Sequence, residues 1–282
     1  MSHARFVLIG ALLACLGLLC GGAPARAQQD FPVLSFGIVP QQSAAKLAST
    51  WGPVLAAISE KARVRLEFRT APDIPAFEQR LAAGEYDIAY MNPYHYTEFS
   101  KRVGYGAIAK EKDRKIQGII VVKKDSPIQS IAQLRGQVLA FPAPAAFAAS
   151  VLPRAALRKQ GISFQTKYVS SHDSVYFAVA EGLFAAGGGI VRTLESVDQR
   201  TQDALRILWR TEQYTPHAIA ARANLSAPLI GRLVEAMDAL DDTEDGRKLL
   251  TGIGFKGIEP AQDSDWDDVR ALGIQALDTQ GD

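Results

Sequence analysis

The sequence predicts an α/β protein of two lobes joined by two crossover strands. Three observations carry this expectation. Strand-like and helix-like stretches alternate from residue 33 to residue 96, and a second run of the same alternation begins near residue 117. Such alternation signals a parallel sheet with helices on its faces. Strong apolar strands near 117–122 and 219–221 stand where one run gives way to the other. The chain of 282 residues is 48% hydrophobic, enough for one large core or two moderate ones.

The chain opens with Arg5, an apolar run from Phe6 to Leu19, and the small-x-small site Ala25-Arg26-Ala27. A charged start, apolar middle and small-residue site read as a secretory signal over residues 1–27. Its apolar run is shorter than the about 20 residues a membrane-spanning helix needs. A competing reading is lipid attachment at Cys15, after Leu12-Leu13-Ala14. Cleavage after Ala27 removes Arg5 and Arg26 but no acid, turning a formal net charge of +1 into −1. A nucleic-acid binder would carry a basic excess, so nucleic acid is not an expected partner. Both cysteines leave with the signal, so the remaining chain holds no disulfide and no thiolate. The expected location is the periplasm, and the expected state is a monomer.

Val33 to Val39 reads as a buried strand, stopped by Pro40. From Ser43 to Lys61, Leu47, Trp51, Val54, Leu55 and Ile58 recur on one helical face, with Ser43 as N-cap. Val64–Phe68 alternates as a strand. Ile74–Ala83 is a helix closed by Gly84, and Tyr86–Tyr90 is a third strand running into a loop from Met91 to Tyr96. In the second run the strands are 117–122, 137–141 and 164–169. Helices are expected at 147–160 and 174–181, after a helical turn at 131–134. Gly187-Gly188-Gly189 marks a close backbone approach or a sharp turn. Short strands at 206–209 and 219–221 follow, then helices at 225–240, 244–251 and 265–272. The expected division is residues 28–121 with 221–282 in lobe 1, and 122–220 in lobe 2. Ligands of open α/β sheets sit beyond the carboxyl ends of the strands. Those ends are 39–43, 91–96, 142–147 and 170–173.

Several stretches, in this order and spacing, resemble the phosphate/phosphite/phosphonate periplasmic binding family. They are Phe36-Gly-Ile-Val-Pro-Gln-Gln42 with Lys46 and Trp51, Tyr86-Asp-Ile-Ala-Tyr-Met-Asn-Pro-Tyr-His-Tyr96, Leu134 to Phe141, Ser171-His172-Asp173, and the closing run from Leu249 to Leu272. The resemblance spans nearly all of residues 33–275. It implies the type II periplasmic-binding-protein clamshell, a small anion held between the lobes, and delivery to an ABC permease. A divergent branch would instead dock on the periplasmic domain of a sensor kinase.

In the family's phosphonate binders a Ser-Thr-Ser run opens the second-lobe helix and holds the oxyanion. Here Ala145, Ala146 and Phe147 stand there, so only backbone N–H groups remain to serve. Carboxylates that meet an aminophosphonate's amine match Arg192 and His217. An arginine there favours an anion without an amine. Tyr96 best matches a family ligand tyrosine, with Tyr94 beside it, and each has core packing as its bland reading. Gln41, Gln42 and Ser43 would place amide, hydroxyl and helix N-terminal donors in the cleft, or serve only as a cap. His95, His172 and His217 all fall near strand ends, but no close spacing among them supports a metal site. Neither metal nor cofactor is expected.

Catalysis is not expected either. Ser171-His172-Asp173 holds triad residue types as neighbours, which on a strand point to opposite faces. The glycine run is not followed by the Gly-Lys-Ser/Thr of a phosphate loop.

Overall fold

The structure is a computed structural model that describes residues 31–274. The segment read as a secretory signal, with Cys15 and Cys20, lies outside the described residues.

The first half begins β1 (Val33–Ile38), α1 (Ala44–Ala62), β2 (Arg65–Arg69), α2 (Ile74–Ala82), β3 (Ile88–Met91), α3 (Pro93–Val103) and β4 (Tyr105–Glu111). The second half runs β5 (Ile116–Lys123), β6 (Val138–Phe141), α4 (Leu152–Lys159), β7 (Gln165–Tyr168), α5 (His172–Ala180), β8 (Ala186–Ile190), α6 (Val191–Glu195), α7 (Gln199–Asp203) and β9 (Leu205–Tyr214). The chain then returns through β10 (Ala218–Arg222), α8 (Ala227–Asp238), α9 (Glu244–Gly252), β11 (Ile258–Pro260) and α10 (Asp267–Arg270).

There are two sheets. The first has the order β11-β4-β10-β3-β1-β2, with β2, β1 and β3 parallel and β10 antiparallel to both β3 and β4. The second has the order β7-β6-β8-β5-β9, with β7, β6 and β8 parallel and β5 antiparallel to β8 and β9. The strands at 117–122 and 219–221 are therefore not themselves the crossovers. β5 lies wholly in the second sheet and β10 wholly in the first. The chain passes from one sheet to the other at 112–115, between β4 and β5, and at 215–217, between β9 and β10. By sheet membership the expected boundaries at 121 and 221 each move several residues towards the chain start.

Local chemistry explains the main elements. Ser43 caps α1 by accepting the Lys46 N–H, and the buried face of α1 is Leu47, Trp51, Val54, Leu55 and Ile58. Asp73 caps α2 in the same way through the Ala76 N–H at 2.8 Å. On β5 the two-residue period sends Ile119 and Val121 to a cluster with Val175, Tyr176 and Val179. Ile120 and Val122 go to the opposite face, with Leu139, Phe141 and Leu157.

Gly187, Gly188 and Gly189 lie within β8, so the run marks close approach and not a turn. A Cβ on Gly188 would stand 1.9 Å from the Ala149 carbonyl oxygen, and one on Gly189 2.1 Å from the Tyr176 hydroxyl. That carbonyl belongs to a wide helical turn at 147–151, where the Ser150 and Val151 N–H groups both donate to Ala146 O. Pro153 has no N–H to offer Ala149, which frees this oxygen from the usual helical bond.

The C-terminal segment braces the second crossover. Thr215 donates through its N–H to Asp268 at 2.8 Å, and the Trp266 indole donates to Pro216 O at 2.8 Å.

Candidate functional site

The loops beyond β1, β3, β6, β7 and β8 converge between the halves, joined by the crossover residue His217. Hydrogen bonds tie the two sides together. Asn92, the N-cap of α3, donates its side-chain amide to Ala145 O at 3.0 Å. The His172 N–H donates to Gln41 O at 3.1 Å. The Gln42 amide donates to the Ser196 hydroxyl at 2.8 Å.

The strongest link is Arg192. From α6 of the second half its guanidinium donates to Glu111 at 2.8 Å and to the Tyr90 hydroxyl at 2.9 Å, both in the first half. Its plane lies 5.2 Å from the Phe255 ring centre, a cation–π contact. Its methylene stem passes over Gly254, where φ is +75° and a Cβ would meet the Arg192 Cδ at 2.8 Å. Glu111 is nearly sealed from solvent, with 4% of its side chain exposed. Burial pushes its carboxyl up, outweighing the opposing pull of Arg192.

Two histidines border this cluster, both 1% exposed. His172 Nδ1 lies 3.0 Å from the Thr193 hydroxyl. Burial, aided by Arg192, pushes its pKa down to about 3. His217 stacks on Tyr90 with ring centres 4.8 Å apart, and its Nε2 lies 3.2 Å from the Gln41 amide nitrogen. Burial and then Arg192 hold it well below the usual histidine value. Both rings are neutral at physiological pH, each with one donor and one acceptor nitrogen. The Nδ1 of His217 has no hydrogen-bond partner among the described residues.

Three cavities lie around this cluster. One of about 300 Å³ is lined by Trp51, Tyr90, Phe255, Arg192, Arg114 and Lys46, among others. A second of about 310 Å³ sits beside the crossovers, bordered by Glu111, Ile116, Arg192 and His217. The third, beside the turn at 147–151, has only about 10 Å³ and is walled by Ala146, Phe147, Ala148, His172 and His217. That is room for about one water molecule.

The sequence candidates divide between cleft and core. Gln41, Gln42, His172, Arg192 and His217 come together between the halves, and Ala145, Ala146 and Phe147 face them from the second half. Ser43 caps α1 and is exposed. Tyr94 is buried in the core of the first half. Tyr96 points away from the cleft. Its hydroxyl donates to Asp263 at 2.6 Å and accepts from the Ala107 N–H at 3.2 Å, and its ring packs on Trp266 at 4.6 Å. Residues 93–103 form α3, so Tyr96 follows a helical direction instead of a loop's. His95 is fully buried beneath that helix, 3.2 Å from the Asn92 amide and 3.3 Å from Glu78. Ser171 is the N-cap of α5 and His172 its first residue, so the Ser-His-Asp run opens a helix and does not lie on a strand.

Residues 36–266 match the family described as ABC transporter, phosphonate, periplasmic substrate-binding protein. The chain belongs to this family. The phosphate-import protein PhnD of Mycolicibacterium smegmatis is 20% identical, with 95% of each chain covered. Among solved structures, the binding-protein component of an ABC phosphonate transporter from Pseudomonas aeruginosa superposes with a TM-score of 0.80 at 20% identity over 86% of each chain. PhnD1 from Prochlorococcus marinus, in complex with methylphosphonate, gives 0.78 at 17% identity over 86% of this chain and 97% of its own. The fold is the two-lobed type II periplasmic-binding-protein architecture.

The start of the helix at 147–151 presents methyl groups and a phenyl ring. Arg192 is a permanent cation already held by Glu111. Tyr90, Glu111, Asn92, Thr193 and Phe255 also shape the site, and the sequence reading did not single them out. For Asn92 a signal was present, since Asn before Pro is an N-cap followed by a favoured first helical residue. Glu111 and Phe255 carry no such local mark.

Proposed function

We propose that this chain captures a small anion between its two lobes and presents it to an ABC permease in the inner membrane. The observation that carries this reading is Arg192, a permanent cation fixed between the lobes by Glu111 and Tyr90. A guanidinium offers five donors in a planar fork suited to an oxyanion or carboxylate. Gln41, His172 and His217 supply neutral donors around it, while Gln42 helps tie the lobes together through Ser196.

The test is thermal unfolding of residues 28–282 against phosphate, phosphite, methylphosphonate, sulfate, acetate and benzoate. A ligand at 100 times its dissociation constant adds about 2.7 kcal/mol. A rise in Tm with any of these anions supports the reading, and an unchanged Tm across the whole panel rejects it.

A second reading is that the closed molecule docks on a sensor kinase's periplasmic domain. It is favoured by one observation: the protein's own bonds, Arg192–Glu111, Asn92–Ala145 and Gln42–Ser196, already join the lobes. Co-purification with a membrane-embedded permease separates the two readings, because a pure sensory module would not associate with one.

A further inference from the structure

We infer that the guest of this cleft is an organic anion with an apolar body of about the size of an aromatic ring, seated between Trp51, Tyr90, Phe255 and Arg192. The inference rests on the anion-receptor reading above and narrows it.

Size excludes one of the three spaces and lining chooses between the other two. The cavity beside residues 147–151 holds about 10 Å³, whereas the cavity walled by Trp51, Tyr90 and Phe255 holds about 300 Å³ and the one beside the crossovers about 310 Å³. The two larger figures fall at the lower end of the range for small-molecule sites, but the cavity beside the crossovers has no Trp, Tyr or Phe in its walls and carries Glu111 and Asp113. Widening the smallest one is obstructed, because the Ala148 and Ala149 carbonyls already press on Gly118 and Gly188.

The walls define the chemistry. Trp51 lies 4.8 Å from Tyr90 and 5.7 Å from Phe255, and Tyr90 lies 5.9 Å from Phe255, all between ring centres. These rings pack into one aromatic cluster, each 4% exposed, which with Leu47 and Ile253 lines one side of the cavity. A bare inorganic oxyanion would lose its water against such a wall and gain nothing from it. An apolar ring or short alkyl body would bury favourable area there.

The charge is placed to hold the other end. Glu111 and Tyr90 are the hydrogen-bond partners of Arg192 among the described residues, leaving three of its five N–H donors for a guest. Lys46 and Arg114 line the same cavity, against one acidic side chain, Glu195. An anionic headgroup towards Arg192 and Arg114, with its body over Trp51 and Phe255, satisfies both halves of the pocket.

The probes are benzoate and hexanoate on one side, and phosphate and methylphosphonate on the other. Each is titrated into residues 28–282 by calorimetry and by tryptophan emission. Benzoate or hexanoate is expected to bind more tightly than phosphate and methylphosphonate, with an emission change in the native protein that disappears in Trp51→Phe. Arg114→Gln, at the exposed rim, is expected to weaken benzoate binding about fivefold, the size of a solvent-exposed charge pair. Thr50→Phe fills the cavity from α1 and is expected to abolish benzoate binding while far-ultraviolet circular dichroism stays native. If phosphate or methylphosphonate binds while the organic anions do not, the receptor reading stands and this inference fails. If none of the four binds, this inference fails, and the receptor reading fails with it when phosphite, sulfate and acetate also leave Tm unchanged. If benzoate binds but neither Thr50→Phe nor Trp51→Phe alters the signals, the guest lies elsewhere and the inference is overturned.

Discussion

The Arg192–Glu111 pair illustrates how a buried ion pair resists single changes more than it stabilises the fold. Removing one partner leaves the other charge desolvated, at a cost of about 3–5 kcal/mol, whereas replacing both with apolar residues of similar volume is close to neutral. Arg192→Ala is therefore expected to lower stability in urea unfolding by about that amount, and Arg192→Met combined with Glu111→Met to recover most of it. Equal losses in the single and double variants would refute the pairing. A smaller effect is expected at Arg63, which closes α1 with φ at +52°, a left-handed conformation that costs a side chain about 1–2 kcal/mol. Arg63→Gly should raise the unfolding midpoint, and a lower midpoint would show that the arginine side chain matters more than its backbone. At this scale Arg192 and His217 were singled out through the family resemblance and His172 through its place near a strand end, and the structure brings the three together. Their partners were not legible, because Glu111 and Phe255 meet Arg192 only after the chain has crossed between sheets. Tyr96 was misplaced for a directional reason: as a loop residue it could face the cleft, but as the fourth residue of a helix it faces Trp266.

Whole elements were easier to read than their edges. β1, β3 and β6 stood out as apolar runs, as strands buried on both faces do, whereas β2 was legible by alternation, β7 is largely exposed, and β8 was not read as a strand at all. β4 did not stand out, because Tyr-Gly-Ala-Ile-Ala-Lys-Glu is poor in β-branched residues and rich in types that strands avoid. It becomes a strand through its neighbours, β10 on one side and β11 on the other. α3 was hidden by Asn92-Pro93, a pair that reads equally well as a turn. The glycine run of β8 did announce a close approach, and the structure shows what approaches. Gly188→Ala would drive a methyl group into the Ala149 carbonyl, a clash with backbone that no side-chain rotation relieves. The expected result is a loss of more than about 3 kcal/mol, above the usual range for overpacking. Gly231→Ala in α8, where added bulk meets open space, should by contrast be stabilising by up to about 1 kcal/mol. Similar unfolding midpoints for the two variants would contradict this packing.

The two-lobed plan followed from the repeated alternation of strands and helices, but the crossovers fell one link away from the strands expected to form them. His217 lies in one of these links, so proton uptake there bears on both lobes. The pKa values of His217 and His172 are lowered on folding, so the unfolded chain binds more protons between their folded values and 6.5. Stability from these groups is present above pH 6.5 and is lost as pH falls through that window, by up to about 1.4 kcal/mol per pH unit for each histidine. Glu111 acts oppositely: burial raises its carboxyl, so its contribution declines as pH rises from 4.5 towards the shifted value. The charged group facing both histidines is Arg192. Tm is expected to fall between pH 6.5 and 5, and His217→Gln to flatten that fall. An unchanged slope in the variant would remove His217 from the account.

The crossovers also set a mechanical advantage. If the lobes turn as rigid bodies about residues 112–115 and 215–217, each atom travels in proportion to its distance from that axis. Glu111 directly precedes the first link, so a small rotation displaces it little and strains its grip on Arg192 only slightly. Gln42 and Ser196 belong to neither link, and their bond has no such shelter. Opening would then proceed like a door that leaves its latch before its hinge pins move, with the basic centre the last contact to be released.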